Sequence, residues 1–264
     1  MSRILQLTDL HVFQTPGTLL RGVDTGGYLQ KVVQHIKDTD VAFDAMIVTG
    51  DHTHDELPAS YQAVRSLLSP WIDRLWQVPG NHDDRQVLRT VFADRIAGEA
   101  DAPIQFAFEL NNWLCLGLDT HLPGAVSGRI GADRILWARQ IADRSAAARI
   151  ALFCHHPPVL IGSPWMDAIG LEDRELIQDW CVSDSRVQLI CCGHVHHEFS
   201  ARLGNAEVLT TPSTGIQFSP EGSTPRFVPG SPGYRIIDLQ SDGYRTQVIR
   251  IPDVAIPENP ADTK

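Results

Sequence analysis

A chain of 264 residues with 43% hydrophobic and 20% charged side chains has a globular composition and the length of one large domain. Its net charge of −10, with no block of lysine or arginine, speaks against a nucleic-acid polymer as partner but leaves room for a small phosphorylated substrate. No apolar run approaches the ~20 residues that span a bilayer, so no membrane partner is expected.

The N-terminal MSRILQLTDLH enters a strand-like pattern at once and lacks signal-peptide features, which predicts a cytoplasmic protein. Residues 3–8 read as a strand, followed after a Gly-rich loop by a helix near 25–37. A buried strand at 45–49, a helix at 58–68 and a strand at 74–78 come next, then a helix over 84–96. Two adjacent strands, 105–110 and 113–118, are separated by the turn Asn111-Asn112. A helix near 132–144, a strand at 150–154, a helix around 171–182 and a strand at 187–191 follow. From Ala206 the pattern turns to β only, with strands at 207–210, 234–239 and 244–251 and a turn at Ser241-Asp242-Gly243. Residues 1–251 are read as one domain whose C-terminal β portion covers about 206–251, with a Pro-rich, frayed tail over 252–264.

Alternating β and α units indicate a layered α/β fold, and the late strands imply an added antiparallel or mixed portion. The five cysteines show no CxxC spacing and lie mostly in apolar runs, so buried reduced thiols are expected rather than disulfides or a thiolate metal site.

In α/β folds ligands bind at the carboxyl ends of strands. Here those ends are Asp9-Leu10-His11, Gly50-Asp51, Gly80-Asn81-His82-Asp83, His155-His156-Pro157 and Gly193-His194-Val195-His196. In an extended segment residues i and i+2 point the same way, so Asp9 and His11 are expected to grip one ion together, and His194 and His196 share that parity. Glycines before Asp51, Asn81 and His194 permit turns that a β-carbon would hinder. Carboxylate, amide and imidazole donors without thiolate suit Mn, Fe, Zn or Co. Each short motif is weak alone; five in order, all at strand ends, point to a metal site.

In that order, D-x-H, G-D, G-N-H-D, H and G-H-x-H, the motifs resemble those of the calcineurin-like metallophosphoesterases over residues 3–197. The resemblance implies an α/β four-layer αββα sandwich of two mixed β-sheets flanked by helices. It also implies two metal ions per chain. Asp9, His11 and His196 would hold the first, Asn81, His155 and His194 the second, and Asp51 would bridge. His155 is preferred to His156 because the family ligand lies two residues before a proline, as His155 does before Pro157. His156 is left to packing behind the ligands or to substrate binding.

A hydroxide bridging two cations ~4 Å apart would attack phosphorus in line, both metals stabilising the phosphoryl oxygens. His82 is assigned by the resemblance to leaving-group protonation or transition-state stabilisation at the substrate, with Asp83 as its orienting partner. His52 and His54 replace an aliphatic and a polar residue of the family pattern and read either as facing ligand or substrate, or as a solvated loop. His35, His121 and His197 read as structural or surface, and Asp119 as a structural hydrogen-bonding carboxylate.

The segments 211–218, 232–239 and 164–167 resemble bacterial class III cyclic-AMP phosphodiesterases, which implies phosphodiester hydrolysis, with 3′,5′-cyclic AMP giving 5′-AMP. A similar subgroup cleaves glycerophosphodiesters with broad specificity, which is the alternative reading. Trp165 and Phe218 are candidates to contact a base or sugar, or to pack in the core. A non-catalytic scaffold of the same fold is a rival, but it would be expected to lose ligands, and all are present here. Family habit and symmetry suggest a homodimer or higher homo-oligomer.

Overall fold

Runs such as Met46-Ile47-Val48 and Leu114-Cys115-Leu116 contain no polar alternate, the pattern of strands buried on both faces. The computed structural model describes residues 1–252, and the tail expected from 252 onward lies, apart from Pro252, outside the described residues. The first elements are β1 (Ser2–Leu7), β2 (Leu19–Leu20), β3 (Val23–Asp24), α1 (Thr25–Asp38), β4 (Ala45–Thr49), α2 (Pro58–Leu68), β5 (Leu75–Val78) and α3 (Arg85–Val91). Next come β6 (Phe106–Leu110), β7 (Trp113–Leu118), α4 (Ala132–Arg144), β8 (Arg149–Cys154), α5 (Pro164–Asp167), α6 (Glu175–Ser183) and β9 (Val187–Cys192). The chain continues through β10 (Phe199–Leu203), β11 (Ala206–Thr210), β12 (Gln217–Phe218), β13 (Phe227–Val228), β14 (Gly233–Leu239) and β15 (Tyr244–Arg250).

Two large sheets result, in the orders β15-β14-β1-β4-β5 and β10-β11-β9-β8-β7-β6. Within them β1, β4 and β5 run parallel, as do β7, β8, β9 and β11, while β6, β10, β14 and β15 are antiparallel additions. The β-rich stretch expected from Ala206 is therefore not a separate portion. β11 joins the second sheet, whereas β14 and β15 complete the first.

Strand alternation separates three cores. On β1, Leu5 and Leu7 pack with Leu29 and Val32 of α1 and Tyr61 and Val64 of α2, while Ile4 faces the other sheet. On β8, Ile150 and Leu152 pack with Ala138 of α4 and Trp180 of α6, while Ala151 and Phe153 turn inward to meet Ile4, Ile47 and Ile237. Helices, sheet, sheet, helices: the four expected layers are present. Each fully buried side chain of this kind contributes about 1.5–3 kcal/mol.

Two helices are shorter than the periodicity suggests. α3 ends at Val91 rather than 96, because the chain after it wraps the Arg89 guanidinium, which donates to the carbonyls of Ala100 and Ala102 at 2.8 and 2.9 Å. α6 starts at Glu175 rather than 171, since Leu171 pairs with Gly128 and Asp173 accepts from the Ile130 and Gly131 amides. No helix among the described residues is long and apolar enough to cross a membrane.

Candidate metal centre

Strands β1, β4, β5, β8 and β9 end on one rim, and the chain leaves β1, β4 and β9 by left-handed turns. Asp9, His11, Asp51, His194 and His196 all have positive φ, between 47° and 70°. Such backbone costs non-glycine residues roughly 1–2 kcal/mol each and gathers at functional sites. This corrects the argument from extended parity. The segments are not extended, and His194 and His196 serve different sides of the site. The D-x-H turn is instead tied to the next loop, with the Leu10 and His11 amides donating to the Asp51 carbonyl at 2.8 and 3.0 Å.

The glycines act as expected, but mainly by permitting close approach. A β-carbon on Gly193 would stand 2.0 Å from Thr8 Oγ1, and one on Gly80 2.1 Å from Asp51 Oδ1. Gly50 combines both reasons, with φ of 95° and a β-carbon position 2.5 Å from His155 Nδ1.

Two groups of donors meet across Asp51. On one side Asp9, His11, Asp51 and His196, all buried, place one donor atom each within 4.8 Å of the others. His11 Nε2 is 3.4 Å from Asp51 Oδ2 and 3.2 Å from His196 Nε2, which lies 3.3 Å from Asp9 Oδ1. On the other side His155 Nε2 is 3.5 Å from Asp51 Oδ1 and 3.1 Å from Asn81 Oδ1, and His194 Nδ1 is 3.0 Å from the same amide oxygen.

The far ring nitrogens explain why the near ones are available. His155 Nδ1 donates to the Thr49 carbonyl at 2.8 Å, His196 Nδ1 to that of Ile216 at 2.8 Å and His194 Nε2 to that of Ile169 at 3.1 Å. A carbonyl only accepts, so each of these rings, when neutral, turns a bare nitrogen inward, the orientation that metal-binding histidines need. Burial pushes His11 and His194 well below the ordinary imidazole range, with neighbouring histidines adding to the effect. His155 goes the other way: burial lowers it, but Asp51 and Asp9 raise it further. A proton on His155 relieves one contact between acceptors. Only a cation relieves them all, so the donor set fits metal ions.

His82 sits at the rim, its backbone amide donating to Asp51 Oδ1 at 2.8 Å. Asp83 does not orient its ring. That carboxylate is buried beneath the loop, accepting from Gly80 N at 2.9 Å, His52 N at 3.1 Å, His52 Nδ1 at 2.9 Å and Tyr61 Oη at 3.1 Å. Burial alone would raise Asp83, but the charge and hydrogen bonds of His52 and the Gly80 amide hold it at about 2. Adjacent residues of this turn point to opposite sides, and Asp83 anchors the loop instead.

His156 is likewise turned from the cleft. It is fully buried, donating from Nε2 to the Val126 carbonyl at 3.1 Å and accepting at Nδ1 from the Thr120 hydroxyl at 2.8 Å. It lies close enough to His155 and His194 to count as a third donor, but both its nitrogens are already used, so it packs behind them. Asp119 is structural as expected, bound to Arg85 Nε and Nη2 at 2.7 and 2.8 Å. His52 is buried against Asp83, whereas His54 faces the cleft and is pushed down to about 4, by burial first and then by His82.

A cleft of about 270 Å³ opens over the donors. One wall is aromatic: Trp165 meets Phe218 edge-on at 5.2 Å, and Phe218 lies 4.8 Å from Phe227. Arg21 sits over Phe227 at 5.0 Å. Sequence reading found Trp165 and Phe218 but missed Arg21 and Phe227. Arg21 lies in the turn of the two-residue ribbon β2–β3 and Phe227 on the equally short β12–β13, too short for any periodicity.

Buried carboxylates and inward imidazoles on the rim of an αββα sandwich define a metal-dependent phosphoesterase. The sequence model of the family described as Calcineurin-like phosphoesterase matches residues 2–198, and the chain belongs to that family of phosphate-ester hydrolases. A Pseudomonas aeruginosa relative, 3′,5′-cyclic adenosine monophosphate phosphodiesterase CpdA, is 33% identical over 252 residues, 95% of this chain and 90% of that one. The CpdA of Escherichia coli strain K12 is 32% identical over 257 residues, with coverage of 95% and 90%. Among solved structures, a dimetal phosphatase from Danio rerio has a TM-score of 0.66 at 13% identity, covering 95% of this chain and 99% of that one, a likeness of fold.

Proposed function

We propose that residues 1–251 form a phosphodiesterase that opens 3′,5′-cyclic AMP to 5′-AMP, using two divalent ions drawn from Mn, Fe, Zn or Co, in the cytoplasm. The observation that carries this reading is the Asp51 carboxylate, which turns one oxygen to each donor group at 3.4 and 3.5 Å on the floor of the cleft. Asp9, His11 and His196 would hold one ion, Asn81, His155 and His194 the other, and Asp51 would be shared. When bound, the ions supply charge for the phosphoryl oxygens and activate water.

The remaining work falls to the chain's own groups. His82 at the rim donates a proton to the 3′ oxygen as the P–O3′ bond breaks. The wall of Trp165, Phe218 and Phe227 offers faces on which a nucleobase stacks, with Arg21 at its edge. Relatives named as cyclic-AMP phosphodiesterases, aligned over almost the whole chain, support the same substrate. The test is a panel of cyclic AMP, 2′,3′-cyclic nucleotides, glycerophosphodiesters and p-nitrophenyl phosphate with metal-loaded protein. Formation of 5′-AMP, with diesters faster than monoesters, is expected. Cleavage of the monoester alone would overturn the diesterase assignment, and preference for glycerophosphodiesters would replace the substrate.

A further inference from the structure

With Asp83 turned inward, that carboxylate does not set the His82 ring, and the amide bond to Asp51 fixes only the backbone. The ring has another support. His54 lies parallel to it, centroids 4.7 Å apart at 25°, and lines the same cleft. His54 is itself held: its amide donates to the Val12 carbonyl at 3.1 Å, its Nδ1 is 3.3 Å from His11 Nδ1, and Phe13 packs on it at 5.0 Å. Thr53 beside it bridges to Val12, which ties this loop to the turn after β1. His54 stands outside the two groups that share Asp51, but its donor atom lies within 4.8 Å of those of His11 and His82.

We propose that His54 is the positioning residue for His82, a stacked ring that fixes the angle at which His82 meets the leaving oxygen. The stack covers one face of the His82 ring and, with His11 edge-on to it at 5.1 Å, restricts the rotation of a rim histidine. The inference rests on the reading of His82 as proton donor. It makes the platform an imidazole face rather than a carboxylate, so the shape of the ring, and not its nitrogens, carries the effect.

The experiment uses the metal-loaded protein and four variants: His54→Ala, His54→Phe, His82→Ala and the double His54→Ala/His82→Ala. On a diester with an alkoxide leaving group, His54→Ala is expected to lower kcat about tenfold, the scale of one aromatic stack, with KM within about twofold. Phe should recover most of that loss, and His54→Ala should cost nothing further once His82 is Ala. Metal content should stay at the wild-type value. In the zinc-loaded protein, the His82 ring-proton NMR signal, identified by its loss in His82→Ala, should move downfield in His54→Ala and return with Phe. Independent, multiplying losses would overturn the proposal, as would a Phe variant as slow as Ala or a fall in metal content. If His82→Ala leaves turnover intact, the proton-donor reading fails and this proposal fails with it. The NMR shift then reports only whether the stack exists.

Discussion

The two donor groups that share Asp51 are built differently. Asp9, His11 and His196 all stand on left-handed backbone, are buried and include a carboxylate of their own. Asn81, His155 and His194 are neutral donors, only His194 has positive φ, and Asn81 is partly exposed. A carboxylate adds direct attraction for a divalent ion that an amide lacks, and burial reduces screening by water. The proposed centre is therefore asymmetric: one ion held by its own charge, the other dependent on Asp51.

The largest test of that asymmetry is Asp51→Asn. Both ions should weaken and turnover should fall more than about a hundredfold, beyond the range for groups that only support ligands. Elemental analysis finding two tightly held metals in this variant would break the comparison at its centre. Asn81→Ala should next leave one metal per chain, whereas Asp9→Asn should lower the content of both sites, because both ions then share Asp51 as their only carboxylate. Equal stoichiometry in the two variants would make the groups equivalent.

Asp83 sharpens the comparison from beneath the second group, since it anchors the loop that carries Asn81. The depression from 3.8 to about 2 is worth about 2 kcal/mol. Because the folded carboxyl is more acidic than the unfolded one, that stability is present above about pH 4 and is lost as pH falls toward about 2. Asp83→Asn should lose about 2 kcal/mol in urea unfolding at pH 7, and its deficit should close across that window. A deficit that persists at pH 2 would remove the ionised Asp83 carboxylate as its source. The smallest expected effect is at the cleft wall. Trp165→Ala should raise KM for cyclic AMP a few-fold with kcat and both metals unchanged, in the range of a lost aromatic contact. A change in metal content would place Trp165 with the donors instead.

Much of this was legible in the sequence because the central strands of both sheets are buried on both faces, so strands such as 45–49 and 113–118 appear as nearly unbroken apolar runs. The polar residues interrupting them at their ends are the candidate donors. What stayed hidden depends on contacts distant in sequence. Nothing near Asp83 reveals that His52, 31 positions earlier, turns it inward. Asp9 and His11 do share one donor group, as their spacing suggested, but on left-handed backbone set by the meeting of two loops, and the same spacing does not join His194 to His196. His156 was separable from His155 only by following its nitrogens to Thr120 and Val126.

A pair of ions sharing Asp51 would be visible in crystals of the metal-loaded protein measured at the absorption edge of the bound metal. Two anomalous peaks per chain are expected, one beside Asp9, His11 and His196, the other beside Asn81, His155 and His194, with the Asp51 carboxylate contacting both. A single peak, or two peaks with Asp51 bound to only one, would contradict it.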